Sequence, residues 1–130
     1  MSATDKKLVL LVDDEVAMVW LLTNYLRDNF DLITKTDGVE ALQWLQGGNI
    51  PDIIVSDINM PNLNGYQLLE RLKANTTWAE IPVIVLSANE KTSEKIKCFQ
   101  LGASDYLVKP FNPVELKARM CITLGLPHLL

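Results

Sequence analysis

The residues of this 130-residue chain best suited to chemistry are polar residues that stand where apolar runs end. Asp13 and Asp14 follow the first run, Asp57 and Ser87 end the third and fourth, and Lys109 follows the fifth. The carboxyl ends of parallel strands share one edge of a sheet, and ligands bind at that edge. If the runs are parallel strands, we expect these five side chains to meet in one cleft.

Three carboxylates brought together repel, and one of them is pushed toward its protonated form unless a cation compensates. Oxygen-only ligands suit a hard divalent ion, and a small number of protein ligands with room for water favours Mg²⁺ over Ca²⁺. Lys109 adds one mobile positive charge, which suits pairing with Asp57 or with a phosphate oxygen. The hydroxyl of Ser87 can donate to the same oxygen.

Three acids, one metal ion, one lysine and one hydroxyl form a site for a phosphoryl group. Asp57 ends the central run and is therefore the expected nucleophile for an aspartyl phosphate. The ion would neutralise charge during an in-line transfer.

The elements that position these residues are five apolar runs at regular spacing, separated by segments with helical periodicity. The runs are Leu8 to Val12, Leu32-Ile33, Ile53 to Val55, Val83 to Leu86, and Tyr106 to Val108. Nearly uninterrupted apolar runs are typical of strands covered on both faces, as in parallel sheets flanked by helices. The alternation predicts right-handed crossovers and a doubly wound three-layer α/β sandwich.

Composition limits the function classes. The chain has the size of one domain, its net charge is −4, and 48% of its residues are hydrophobic. A compact acidic domain without a basic field is not expected to contact nucleic acid or anionic lipid. No apolar run approaches the roughly 20 residues that span a bilayer, and the start lacks a signal peptide's apolar stretch, so we expect the cytoplasm and no membrane contact. Cys98 and Cys121 are interpreted as reduced and structural.

Four segments together resemble the receiver domain of two-component response regulators, of the chemotaxis-regulator type. They are Val12 to Glu15, Asp57 to Gly65, Ser87-Ala88, and Lys109 to Phe111. The resemblance spans about residues 7 to 124 and implies a flavodoxin-like fold, with a five-stranded parallel sheet of order 2-1-3-4-5. We expect residues 1–124 to form the receiver domain and residues 125–130 to be a tail or the start of a linker.

The resemblance also implies roles for the site residues. Asp57 would accept the phosphoryl group from a histidine kinase or a histidine phosphotransfer protein. Asp14 would bind Mg²⁺ directly and Asp13 largely through water, with Asp57 and the backbone carbonyl of Asn59 completing the protein ligands. Lys109, whose bond to Pro110 is typically cis in this family, would contact the phosphoryl oxygens.

Ser87 would contact the same oxygens, and Tyr106 would be the aromatic switch that turns inward when Ser87 moves toward the phosphate. Ser87 replaces the Thr of many members, so the switch is expected to be looser. Asn59 and Asn89 stand two residues beyond Asp57 and Ser87, at variable positions that in this family modulate loss of the phosphoryl group.

The output face implied by the family runs roughly from Glu90 to Arg119 and comprises the fourth helix, fifth strand and fifth helix. A downstream effector protein or domain and a phosphorylation-dependent dimer are both left open. The first helix is expected to place Met18, Leu21, Leu22 and Tyr25 on the sheet. Its other apolar residues (Val16, Val19, Trp20) would either contact the fifth helix or form a docking patch for the kinase partner.

Three other functions remain as alternatives. A phosphohydrolase of the haloacid dehalogenase type needs a second Asp two residues after its nucleophile, where this chain has Asn59. A flavin-binding protein needs a phosphate-cradling loop after the first strand, which Asp13, Asp14 and Glu15 would repel. A phosphorylation-independent interaction domain would tend to lack the acids or the lysine. We therefore expect no metabolic enzyme, only self-catalysed phosphotransfer and autodephosphorylation.

Overall fold

A computed structural model describes residues 6–130, in which five strands alternate with five helices. The first five residues of the domain expected over residues 1–124 lie outside the described residues. The strands are β1 (Lys7–Val12), β2 (Phe30–Lys35), β3 (Ile53–Asp57), β4 (Val83–Ser87) and β5 (Asp105–Val108). The helices are α1 (Val16–Leu26), α2 (Gly38–Gln46), α3 (Gly65–Lys73), α4 (Thr92–Gln100) and α5 (Pro113–Leu124).

The strands form one parallel sheet of order β2-β1-β3-β4-β5, which confirms the predicted fold and strand order. Every residue of β3 and β4 is buried, as expected for central strands covered on both faces. Successive residues of β1 point to opposite sides: Leu10 belongs to the core cluster with α2, α3 and α4, whereas Leu11 belongs to the cluster with α1 and α5. The molecule is therefore a three-layer sandwich.

Local sequence signals fix the starts of three helices. The Asp37 carboxylate accepts a hydrogen bond of 2.9 Å from the backbone N–H of Glu40 at the start of α2. Asn64 and Gln67 form a reciprocal capping box at the start of α3. Asn112 caps α5, and Pro113 occupies its first position, where no N–H donor is needed.

The face that α1 turns to the sheet agrees with the predicted one at Met18 and Leu22 and differs at Leu21 and Tyr25. Leu22 and Leu26 are buried, whereas Leu21 and Tyr25 are 44% and 37% exposed. Leu22 and Leu26 lie one turn apart on the same row, and this row packs on the sheet. Trp20 remains 68% exposed, so contact with α5 does not cover it, whereas Val19 packs against the core cluster that contains α5 residues.

The chain after α5 folds back onto the domain. Gly125 ends the helix with a positive φ of 70°, a conformation that glycine adopts at low cost. Leu126 and Leu129 pack against the cluster that also contains α1 and α5 residues, and Pro127–Leu129 form a short 3₁₀ helix. Within residues 6–130, no helix combines the length and apolarity needed to cross a membrane.

We predict that Gly65→Ala destabilises the fold by about 1–3 kcal/mol, the usual cost of overpacking. An added Cβ would lie 2.5 Å from the Asp57 carbonyl oxygen and 2.7 Å from the Ile58 Cα, both of which are backbone atoms. Urea unfolding measures the effect. The matched control is Gly47→Ala, because its φ of −72° suits alanine and the nearest atom would be 3.3 Å away. Equal midpoints for Gly65→Ala and the wild type would contradict this close packing.

Candidate functional site

The residues predicted to do chemistry lie at one edge of the sheet. Asp13 and Asp14 directly follow β1, Asp57 and Ser87 are the last residues of β3 and β4, and Lys109 directly follows β5. These four strands are consecutive neighbours in the sheet. The parallel order thus brings together residues that are far apart in the sequence.

The three acids form a compact cluster. One carboxylate oxygen from each of Asp13, Asp14 and Asp57 lies within 4.8 Å of the others; Asp13 and Asp57 are buried and Asp14 is exposed. Backbone N–H groups hold the buried pair, because Glu15 donates to Asp13 Oδ1 at 2.9 Å and Ile58 donates to Asp57 Oδ1 at 2.8 Å. An oxygen-only donor set with one acid open to solvent fits a hard divalent cation such as Mg²⁺.

Lys109 supplies the positive charge of the cluster. Its Nζ lies 3.3 Å from Asp13 Oδ2 and 3.3 Å from Asp57 Oδ2, and its side chain is only 16% exposed. The backbone N–H of Lys109 donates to the Ser87 carbonyl at 2.8 Å, which fixes the lysine to the end of β4. Its peptide bond to Pro110 is cis, as the resemblance implies.

Burial and charge act in opposite directions on this group. Burial raises the pKa of Asp57 and the neighbouring Asp13 carboxylate raises it further, whereas the Lys109 ammonium group lowers it; the net shift is upward. For Lys109, burial alone would lower the pKa, but the Asp13 and Asp57 carboxylates outweigh it and the pKa is raised. Lys109 therefore remains charged, and an added cation would favour the ionised form of Asp57.

Ser87 and Tyr106 both contact the backbone of Asn89. Asn89 N–H donates to Ser87 Oγ at 3.1 Å, and the Tyr106 hydroxyl donates to the Asn89 carbonyl at 2.7 Å. Tyr106 is 7% exposed, so its ring occupies an inward position. Asn59 lies exposed in the segment that follows β3. A displacement of Ser87 would thus change the position of Asn89, which in turn contacts Tyr106.

Sequence reasoning missed a support of the segment after Asp57. Asn62 has a positive φ of 67°, and its side chain donates to Asp37 Oδ2 at 2.7 Å. This bond joins the segment to the start of α2. Asparagine tolerates the left-handed conformation better than most residues, so the Pro61-Asn62 dipeptide is the local sequence signal of this turn. The partner of the Asn62 side chain has no such local signal, because Asp37 is 25 residues away in the sequence.

A small cavity of about 110 Å³ adjoins the acid cluster between α1 and the end of β2. Its lining includes Asp14, Val16, Val19 and Lys35. Val16 is 81% exposed. The acids are therefore bordered by an apolar surface that is open to solvent.

Comparisons with known proteins agree with this geometry. Residues 9–121 match the family described as the response regulator receiver domain. The chain is 38% identical over 115 residues to the alkaline phosphatase synthesis transcriptional regulatory protein PhoP of Bacillus subtilis, covering 88% of this chain and 47% of that protein. The chain thus spans about half the length of the curated relatives it matches.

Solved structures give the same result. The receiver domain of the Francisella response regulator 1452 superposes with a TM-score of 0.85 at 36% identity, covering 92% of this chain and 98% of that one. The receiver domain of the sensor histidine kinase PA1611 from Pseudomonas aeruginosa superposes with a TM-score of 0.83 at 28% identity, covering 92% of this chain and 98% of that one. That structure is described with a magnesium ion coordinated in its active-site cleft.

The family match covers most of the chain, and the sheet order and strand-end cluster agree with it. The chain therefore belongs to the response regulator receiver domain family, whose members are the phosphoacceptor switches of two-component systems.

Proposed function

We propose that Asp57 is the phosphoacceptor of this domain and that its donor is a phosphohistidine on a histidine kinase or a histidine phosphotransfer protein. The observation that carries the proposal is the position of Asp57 Oδ2, which lies 3.3 Å from the Lys109 ammonium group within the three-acid cluster. The end of a buried central strand holds this oxygen in a fixed place.

In the proposed transfer, an Asp57 carboxylate oxygen forms a bond to phosphorus as the bond between phosphorus and the histidine nitrogen breaks. The electron pair of the broken bond stays on the imidazole nitrogen, and because the other ring nitrogen carries a proton, the imidazole leaves as a neutral base. Asp57 has to be ionised to attack. The Lys109 charge favours that form against the effect of burial on the Asp57 pKa.

The proposed metal ligands are the side chains of Asp13, Asp14 and Asp57 and the backbone carbonyl of Asn59. Their support is the oxygen-only cluster within 4.8 Å, which has more negative than positive charge around it. When Mg²⁺ is bound, it supplies positive charge that neutralises the phosphoryl oxygens.

Lys109 and Ser87 are the proposed contacts of the remaining phosphoryl oxygens. Ser87 Oγ accepts a hydrogen bond of 3.1 Å from the Asn89 N–H. This bond would break when the Ser87 hydroxyl turns toward the phosphoryl group. The Asn89 carbonyl accepts from Tyr106, so this movement would change the environment of the tyrosine. Tyr106 is therefore the proposed switch residue, and phosphorylation shifts the population of its positions.

Partner contacts are proposed at two surfaces. Val16 lines the cavity beside Asp14, and Trp20 is exposed one turn further along α1; both side chains suit docking of the histidine-bearing partner. The surface of α4, β5 and α5 is the proposed output face, read by an effector protein or domain or by a second copy of the chain. Ile96 and Phe99 are about half exposed on α4.

The proposed switching unit is residues 1–124, with residues 125–130 as a tail or the start of a linker. It acts on itself rather than on free substrate: phosphotransfer and autodephosphorylation are self-catalysed. Asn59 stands where a haloacid dehalogenase would carry its second Asp, which disfavours turnover of free phosphoesters. The proposed place of action is the cytoplasm, where ATP-derived phosphoryl donors are made.

We predict that acetyl phosphate with Mg²⁺ adds one acid-labile phosphoryl group per chain, and that Asp57→Asn adds none. Asparagine keeps the size of the side chain but lacks the nucleophilic carboxylate. Intact mass measured at neutral pH gives the stoichiometry. Asp31→Asn, at an exposed position of β2, is the control and should be labelled like the wild type. Equal labelling of Asp57→Asn would refute the assignment.

We predict that Asp14→Asn lowers the Mg²⁺ affinity at least about tenfold, or ~1.4 kcal/mol. Asp14 is the exposed member of the cluster, so the substitution removes a ligand charge with little effect on folding. Calorimetric titration with Mg²⁺ measures the affinity, with Asp31→Asn again as the control. An unchanged affinity, or phosphorylation at an unchanged rate in a chelator, would rule out the proposed metal role.

We predict that Ser87→Ala still accepts a phosphoryl group on Asp57 but responds weakly to it. The variant retains the acids and Lys109 but lacks the hydroxyl that links the site to Asn89. The amide signals of residues 89–106 in NMR spectra should then move much less on phosphorylation than in the wild type. Ser93→Ala, at an exposed position in α4, is the control. A full wild-type response in Ser87→Ala would contradict the proposed link.

A further inference from the structure

Tyr66, Glu94 and Lys97 form a polar cluster between α3 and α4, separate from the acids at the strand ends. The Tyr66 hydroxyl donates a hydrogen bond to Glu94 Oε2. The Lys97 ammonium group lies over the Tyr66 ring, 4.1 Å from its centroid. One tyrosine is therefore contacted by two side chains of α4, three residues apart on the same face.

Helix α4 has few other anchors. Cys98 is its one buried residue, although α4 spans Thr92–Gln100. Its first turn is not held by a side-chain cap, because Lys91 at the N-cap makes no such bond. A helix with one buried residue and no capping side chain gains little from packing, so each polar contact has a large share in fixing its position.

Tyr66 itself stands on a rigid part of the domain. The preceding residue, Gly65, donates its N–H to the Ile58 carbonyl at 2.9 Å, directly after Asp57. The Tyr66 ring packs against the core cluster that contains Tyr106 and Cys98. Burial, followed by the hydrogen bond to Glu94, raises the pKa of Tyr66, so the hydroxyl keeps the proton that it donates. The ring thus connects the segment after Asp57 with α4 and with the core cluster to which Tyr106 belongs.

We propose that Tyr66 is a positioning residue that, through Glu94 and Lys97, holds α4 in the place where Tyr106 is buried. The strength of this contact sets the balance between buried and released Tyr106, and with it the response of the output face. The effect on the output face rests on the proposed function, in which Tyr106 is the switch. The positioning of α4 by Tyr66 does not depend on phosphorylation.

The test uses Tyr66→Phe, which keeps the ring and its contact with Lys97 and removes only the hydroxyl. Amides of residues 94–98 should exchange with solvent about tenfold faster, because a hydrogen bond to a charged group contributes at least that factor. Strand amides should be unchanged. Tyr25→Phe, on the partly exposed side of α1, is the matched control. Glu94→Gln, which keeps an acceptor oxygen, should retain more protection than Glu94→Ala.

The second measurement is a titration with beryllofluoride, a phosphoryl analogue, in the presence of Mg²⁺. The Asn89 amide signal follows the response. Tyr66→Phe should need a severalfold higher beryllofluoride concentration to reach half of the response, because the buried position of Tyr106 is less favoured in this variant. If Tyr66 had only a structural role, the Tyr66→Phe substitution would leave the beryllofluoride concentration at half of the response unchanged.

Unchanged exchange in α4, or faster exchange throughout the sheet, would overturn the positioning role of Tyr66. Faster exchange in α4 with an unchanged beryllofluoride midpoint would overturn its effect on the switch. A wild-type chain that does not respond to beryllofluoride would overturn the proposed function, and the coupling with it. In that case the exchange rates of the protein without beryllofluoride still decide the role of Tyr66.

Discussion

The constraint that governs this molecule is electrostatic. Three carboxylates lie within 4.8 Å of one another, two of them are buried, and the Lys109 ammonium group contacts the two buried ones. One positive charge against three negative charges is an unbalanced group, and burial raises the cost of each uncompensated charge. At the residue proposed to react, burial and the Asp13 carboxylate together outweigh the Lys109 charge, so the Asp57 pKa is raised. A divalent cation and a phosphoryl group are therefore complementary additions to the site.

The fold provides the rigidity that such a cluster requires. The side chains that repel one another stand at or directly after the ends of strands, and the central strands are buried on both faces. Backbone hydrogen bonds from Glu15 and Ile58 hold the Asp13 and Asp57 carboxylates in place. At the neighbouring strand ends, the backbone of Asn89 contacts both Ser87 and Tyr106, so the charged site and the aromatic residue share one segment of chain.

The sequence was informative where a contact depends on local pattern or on sheet geometry. The apolar runs predicted the parallel sheet. Asn64, Asn112 and Pro113 are local signals of helix starts, because capping is a short-range interaction. Periodicity alone did not identify the buried row of α1, since Leu21, Leu22, Tyr25 and Leu26 are all apolar enough to face the sheet. Of the three residues for which contact with α5 was one alternative, Val19 packs against the cluster that contains α5 residues, whereas Val16 and Trp20 remain mostly exposed. The bond from Tyr66 to Glu94 joins residues 28 positions apart, and only the spacing of α3 and α4 brings them together.

The most direct test of the central claim is chemical identification of the residue that carries the phosphoryl group. The wild-type chain is incubated with acetyl phosphate and Mg²⁺, treated with borohydride, which converts an aspartyl phosphate to homoserine, and digested for peptide sequencing by mass spectrometry. Our account predicts homoserine at position 57 and at no other aspartate. Homoserine at position 13 or 14, or a stable phosphoryl group on a serine, would contradict it.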